Sequence, residues 1–73
     1  MTSEAIGSLV RKTRKAQQLN QADLALAAGT ATRFISDLEN GKPSCQLGKT
    51  LDVLRALGIN ISPTPPAVGR ADV

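Results

Sequence analysis

Arg11, Lys12, Arg14 and Lys15 put four of the chain's nine Lys and Arg residues into five positions, and a local cluster of that density attracts polyanions. The rest of the inventory is defined by what it lacks. There is no His and a single Cys, whereas general acid/base catalysis draws on His or a tuned carboxylate pair, and soft-metal sites on clustered His and Cys. Asp23, Glu39 and Asp52 fall on separate segments at positions suited to caps and ion pairs, so no catalytic residue, metal or cofactor is assigned. Cys45 lies near the start of a helix, where a thiolate can be stabilised; with neither His nor a second Cys beside it, a small packing residue is the better reading. This residue set supports binding rather than turnover.

Size and composition agree with that reading. A chain of 73 residues makes one domain, with a small core built without disulfides. Its 41% hydrophobic fraction is mostly Ala, Leu, Val and Ile, with one Phe and no Trp or Tyr. Such a mix suits packed helices and excludes an aromatic base-stacking sheet. The apolar runs fall far short of the ~20 residues that cross a bilayer, and the start of the chain, with Glu4, does not resemble a secretory signal. A cytoplasmic protein with no membrane partner is expected, and the lone Cys fits a reducing compartment.

Four helices must position the cations. Ile6, Leu9, Val10, Thr13 and Ala16 recur at three- and four-residue intervals, which predicts an amphipathic helix from Ser3, as N-cap, to about Gln18. Asn20 caps a second, two-turn helix with Asp23 near its positive end, and Gly29 closes it. A third runs from Ala31 or Thr32 to Glu39 or Asn40, with Ile35 and Leu38 inward and Thr32, Arg33, Ser36 and Asp37 outward; Asn40-Gly41 and Pro43 stop it. Ser44 caps a fourth, in which Leu47, Leu51, Leu54 and Leu57 form the apolar stripe, ended by Gly58. Beyond it Ile59, Asn60 and Ile61 alternate like a brief strand. A lone strand needs a partner for its backbone, which a second copy of the chain supplies in a homodimer. Residues 63–73, with three of the four prolines, are expected to be a disordered tail. Alternatives for the tail are insertion into a partner or a degradation signal.

The informative stretch is NQADLALAAGTATRFISDLENGKPS, residues 20–44. Two short helices joined through a Gly-containing turn, the second with a small-polar and Arg face, can seat that second helix in a DNA major groove about 12 Å wide. The stretch closely resembles the helix-turn-helix of the Cro and lambdoid-repressor family, also called the XRE family. The resemblance implies roles residue by residue. Gln21 matches a Gln that grips phosphate at a helix N-terminus, Ala25 the small residue at the helix–helix approach, and Gly29 the turn. Ile35 and Leu38 match buried positions of the recognition helix. In the run Leu38 to Lys42, Asn40 and Lys42 match backbone contacts, and Glu39 matches a partner for a basic residue of the first helix, here Arg14. Arg11, Lys12 and Lys15 then remain as phosphate contacts, with a merely solvated basic face as the alternative. Base contacts fall on Thr32, Arg33, Ser36 and Asp37. Arg33 can donate two hydrogen bonds to guanine. Asp37 departs from the family's usual Gln or Lys, and either accepts from a cytosine amine or orients Arg33. Phe34 also departs, and packing against the first helix is preferred over contact with a thymine methyl.

A closer likeness spans residues 7–61. The runs G-S-L-V-R-K-T-R-K, R-F-I-S-D-L-E-N-G-K-P and L-G-K-T-L-D-V-L-R-A-L-G-I-N-I are similar to HipB-type antitoxins, in which four helices precede a strand that pairs across a homodimer. That resemblance implies an all-α, compact four-helix, lambda-repressor-like domain over 3–62, with its motif at 21–40 and the dimer strand at about 58–62. It also implies a function: a repressor of palindromic operator DNA that binds a HipA-type serine/threonine kinase toxin and autoregulates its operon. The alternatives are a phage-type regulator without a toxin and an antitoxin acting mainly through protein binding.

Overall fold

The computed structural model describes residues 2–43 and 46–59. They form four helices, α1 (Ser3–Ala16), α2 (Gln21–Ala28), α3 (Thr32–Glu39) and α4 (Leu47–Ala56), with no strand among the described residues. α3 packs on both α1 and α2, and α2 packs on α4. The core these contacts enclose consists of Val10, Leu24, Ala25, Ile35, Leu38, Val53, Leu54 and Leu57. Burying each larger aliphatic side chain contributes roughly 1.5–3 kcal/mol, and this is what holds helices too short to persist alone.

The ends of the short helices are closed by local chemistry. At α2, Asn20 Oδ1 accepts from the Asp23 N–H at 2.7 Å and Asp23 Oδ2 accepts from the Asn20 N–H at 3.1 Å, a reciprocal capping box. At its other end Gly29 adopts φ +72° and the Thr30 N–H reaches back to the Ala25 carbonyl at 2.9 Å. The α1 cap is Thr2 rather than Ser3: Thr2 is the extended residue, and its hydroxyl accepts from the Ala5 N–H at 3.0 Å. Gln17, just past α1, donates from Nε2 to the Leu57 carbonyl at 2.7 Å and ties α1 to the end of α4.

Two faces differ from the sequence expectation. In α1 the buried positions are Gly7, Val10 and Arg14, whereas Leu9 and Thr13 are half-buried and Ala16 is exposed. Gly7 is there because α1 crosses the end of α3 closely. A Cβ on it would overlap the Leu38 carbonyl oxygen and stand 2.9 Å from that of Glu39. In α4 the inward stripe is Thr50, Val53, Leu54 and Leu57, and Leu47 in the first turn is 72% exposed. Thr50 tolerates burial because its hydroxyl donates to the Gln46 carbonyl at 2.8 Å. Gln46 stands at the α4 N-cap without a side-chain cap bond; Ser44, expected there, lies outside the described residues, as does Cys45.

Ile59 belongs to the end of α4. Its N–H donates to the Leu54 carbonyl at 2.9 Å and its side chain packs on the core, so that N–H is used within the chain and not by a strand partner. Asn60 and Ile61, the rest of the expected strand, and the tail at 63–73 lie outside the described residues.

Candidate nucleic-acid interface

The outer face of α3 follows from its period. Ile35 and Leu38 are buried, so with about 3.6 residues per turn Thr32, Arg33, Ser36, Asp37 and Asn40 come together on the opposite side. Thr32, Arg33 and Asn40 are exposed, and Ser36 and Asp37 half-buried. Asn40 is also the C-cap residue of α3, with its N–H on the Ser36 carbonyl at 3.0 Å. Arg33 forms no ion pair among the described residues, which leaves its five donors available to an acceptor from outside.

One flank of α3 is fixed by Glu39. Arg14 Nε donates to Glu39 Oε2 at 2.7 Å and Nη2 to Oε1 at 3.1 Å, while Nη1 reaches the Leu19 carbonyl at 2.7 Å. Gln21 Nε2 donates to the same Glu39 Oε1 at 3.2 Å. The Glu39 carboxylate thus joins α1, the start of α2 and the end of α3, and Arg14 extends the link to the α1–α2 connection. Burial opposes charge on Glu39, but the hydrogen bonds from Arg14 and Gln21 and the fields of Arg14 and Arg11 outweigh it and hold the carboxyl below its ordinary value. The same bond raises Arg14 above its ordinary value against the cost of its burial. Gln21 therefore turns its amide inward. At the α2 N-terminus the Asp23 N–H is taken by the Asn20 side chain, and the N–H groups of Gln21 and Ala22 lack intrahelical acceptors.

The other flank carries Asp37, Lys42, Phe34 and Lys49. Lys42 Nζ lies 3.6 Å from Asp37 Oδ2, and its N–H donates to the Asp37 carbonyl at 3.1 Å. Asp37 is thus engaged with Lys42, and no ion pair joins it to Arg33 among the described residues. Phe34 is half-buried against the core with the Lys49 ammonium of α4 over its ring, 5.9 Å from the centroid. The sequence reading missed Lys49, which has no spacing signal of its own. Arg11, Lys12 and Lys15 are exposed on α1 and unpaired among the described residues, with Arg11 on the side whose field reaches Glu39.

Among the described residues no group of three or more His, Cys, Asp or Glu is placed to hold a metal ion, and no helix is long and apolar enough to cross a membrane. An open groove of about 160 Å³ between the ends of α1, α3 and α4, lined by Ile6, Leu38, Pro43 and Leu47 among others, is smaller than the ~300 Å³ at which ligand pockets usually begin.

Comparison with known proteins adds to this geometry. The Helix-turn-helix family model (HTH_3) matches residues 10–63. The chain is 51% identical over 69 residues to the uncharacterized HTH-type transcriptional regulator y4mF of Sinorhizobium fredii (strain NBRC 101917 / NGR234), covering 94% of this chain and 91% of that protein. It is 30% identical over 63 residues to the ImmF control region 10 kDa protein of Bacillus phage phi105, covering 84% of this chain and 70% of that protein. A second regulator of the same Sinorhizobium strain, the uncharacterized HTH-type y4dL, is 35% identical over 63 residues, 86% of this chain but 32% of its own length.

Proposed function

The chain belongs to the helix-turn-helix family, and from that premise we propose that it is a sequence-specific, double-stranded-DNA-binding repressor that reads bases with α3. The observation that carries this is Arg33, unpaired among the described residues, on the exposed face of a helix that is braced on both flanks. An unpaired guanidinium on a rigid element is suited to bidentate recognition of guanine. Thr32, Ser36 and Asp37 line the same face and complete the base-reading set. Phosphates are met by Arg11, Lys12 and Lys15 of α1, by Asn40 and Lys42 after α3, and by the α2 N-terminus at Gln21. They set orientation and most of the salt dependence.

The repressor acts as a homodimer on a palindromic operator. A single two-turn reading helix spans only a few base pairs, and two-fold symmetry doubles the site. The alternation of Ile59, Asn60 and Ile61 supports pairing through this segment, and since the Ile59 N–H is already used, the N–H donors of that pairing come from beyond it. A footprint on the duplex upstream of the chain's own coding region tests this: two protected half-sites about 34–36 Å apart are expected, and protection without a paired pattern overturns it.

The toxin–antitoxin reading assigns a second partner, a HipA-type serine/threonine kinase toxin, and rests on the runs Leu47–Leu51 and Ala56–Ile59. The likeness to a phage control-region protein favours the other reading, a phage-type regulator without a toxin. Co-purification of the chain with the product of an adjacent gene supports the antitoxin, and its failure with every adjacent product supports the phage-type regulator.

A further inference from the structure

The two carboxylates of α3 have opposite settings. The Glu39 side chain is 3% exposed and held by Arg14 and Gln21, while Asp37 shares the reading face with Arg33. Its one ionic neighbour among the described residues is Lys42 at 3.6 Å, and the two side chains are 32% and 53% exposed. The backbone keeps Lys42 near: its N–H is on the Asp37 carbonyl, and Gly41, at φ +78°, turns the chain back along the helix. A half-exposed pair of this length is weak and exchanges easily.

An ionised carboxylate only accepts hydrogen bonds. In the major groove it is repelled by guanine O6 and N7, by thymine O4 and by phosphate, and adenine offers an amine with an acceptor beside it; cytosine offers its N4 amine as the sole polar group of its edge. We propose that Asp37 is a specificity-determining residue that works through Lys42. On DNA without a cytosine at its position Asp37 retains Lys42, and the complex lacks one phosphate contact. Where a cytosine is present, Asp37 exchanges the Lys42 ammonium for the N4 amine, and Lys42 moves to the adjacent phosphate. Recognition of one base is thereby linked to one backbone contact. The inference rests on the DNA-binding reading above.

A double-mutant cycle tests it. Wild type, Asp37→Asn, Lys42→Gln and the double variant are titrated, over a series of salt concentrations, against a duplex selected by the wild type from a randomised pool, its single-base-pair variants and a mixed-sequence duplex. The wild type is expected to require a cytosine at one position of each half-site, its replacement costing about 5-fold or more. Asp37→Asn should lose that requirement, bind the mixed duplex more tightly and steepen its salt slope there by about 0.9, one further phosphate. In the Lys42→Gln background the same substitution should leave the slope unchanged. A cytosine preference that survives Asp37→Asn, or a slope change that persists without Lys42, overturns the proposal. A wild type that binds selected and mixed duplexes alike overturns the sequence-specific reading itself, before any variant is compared.

Discussion

Arg14 and Glu39 meet through two hydrogen bonds, Nε to Oε2 at 2.7 Å and Nη2 to Oε1 at 3.1 Å, with side chains only 10% and 3% exposed. Twenty-five residues separate them in sequence, so the pair fixes the end of α3 against α1. Removing one partner of a buried pair leaves the other charge uncompensated, at a cost of about 3–5 kcal/mol. Glu39→Gln keeps an acceptor for Arg14 and should destabilise the fold by roughly 3 kcal/mol, the low end of that range, measured by urea unfolding at neutral pH.

The same pair fixes a pH dependence. Glu39 has its carboxyl lowered from 4.5 in the folded chain, so between the folded and unfolded values the unfolded chain binds more protons and stability rises with pH. The contribution is fully present above pH 4.5 and is lost as pH falls through the lowered folded value. Unfolding midpoints of wild type and Glu39→Gln should therefore converge on acidification below 4.5; curves that stay parallel there would show that the pair does not lower the Glu39 carboxyl.

Gly7→Ala separates helix propensity from packing. In an open helix this change gains up to ~1 kcal/mol, but here the added Cβ would overlap the Leu38 carbonyl oxygen. Forcing α1 and α3 apart should cost roughly 1–3 kcal/mol. A variant more stable than wild type would refute the close approach.

Much of the helical frame is legible in the chain because its signals are local. Asn20 and Asp23 form a capping box within four residues, Gly29 supplies the left-handed turn, and Ile35 and Leu38 mark the inner side of α3 at helical spacing. What was not legible depends on which elements approach one another. Gly7 reads as a mild helix defect until the α3 carbonyls are seen against it. Leu47 has the right spacing for the α4 stripe, yet it lies in the first turn and is exposed, and Thr50 takes the inward place by bonding its hydroxyl to Gln46. The links from Lys42 to Asp37 and from Lys49 to Phe34 depend on a loop path and a helix crossing that no spacing rule encodes.

Arg33→Ala should leave stability within ~0.5 kcal/mol of wild type, since the side chain is exposed and unpaired among the described residues. On DNA it should remove about 1–3 kcal/mol of discrimination at one base pair of each half-site. Selection from a randomised pool with both proteins checks this, and an identical consensus would exclude Arg33 as a base reader.

If the chain dimerises through Ile59–Ile61 as proposed, Ile61→Asp should weaken dimerisation by introducing a charge there. Sedimentation equilibrium is the measurement; a variant as dimeric as the wild type would rule out pairing through that segment.

Equilibrium titration of the chain against the duplex upstream of its own coding region, beside a scrambled duplex of equal composition, bears most directly on the claim that α3 reads sequence. The expected result is binding about 10³-fold or more tighter to the upstream duplex, with both affinities falling steeply as salt rises. Equal affinity for the two duplexes would contradict it.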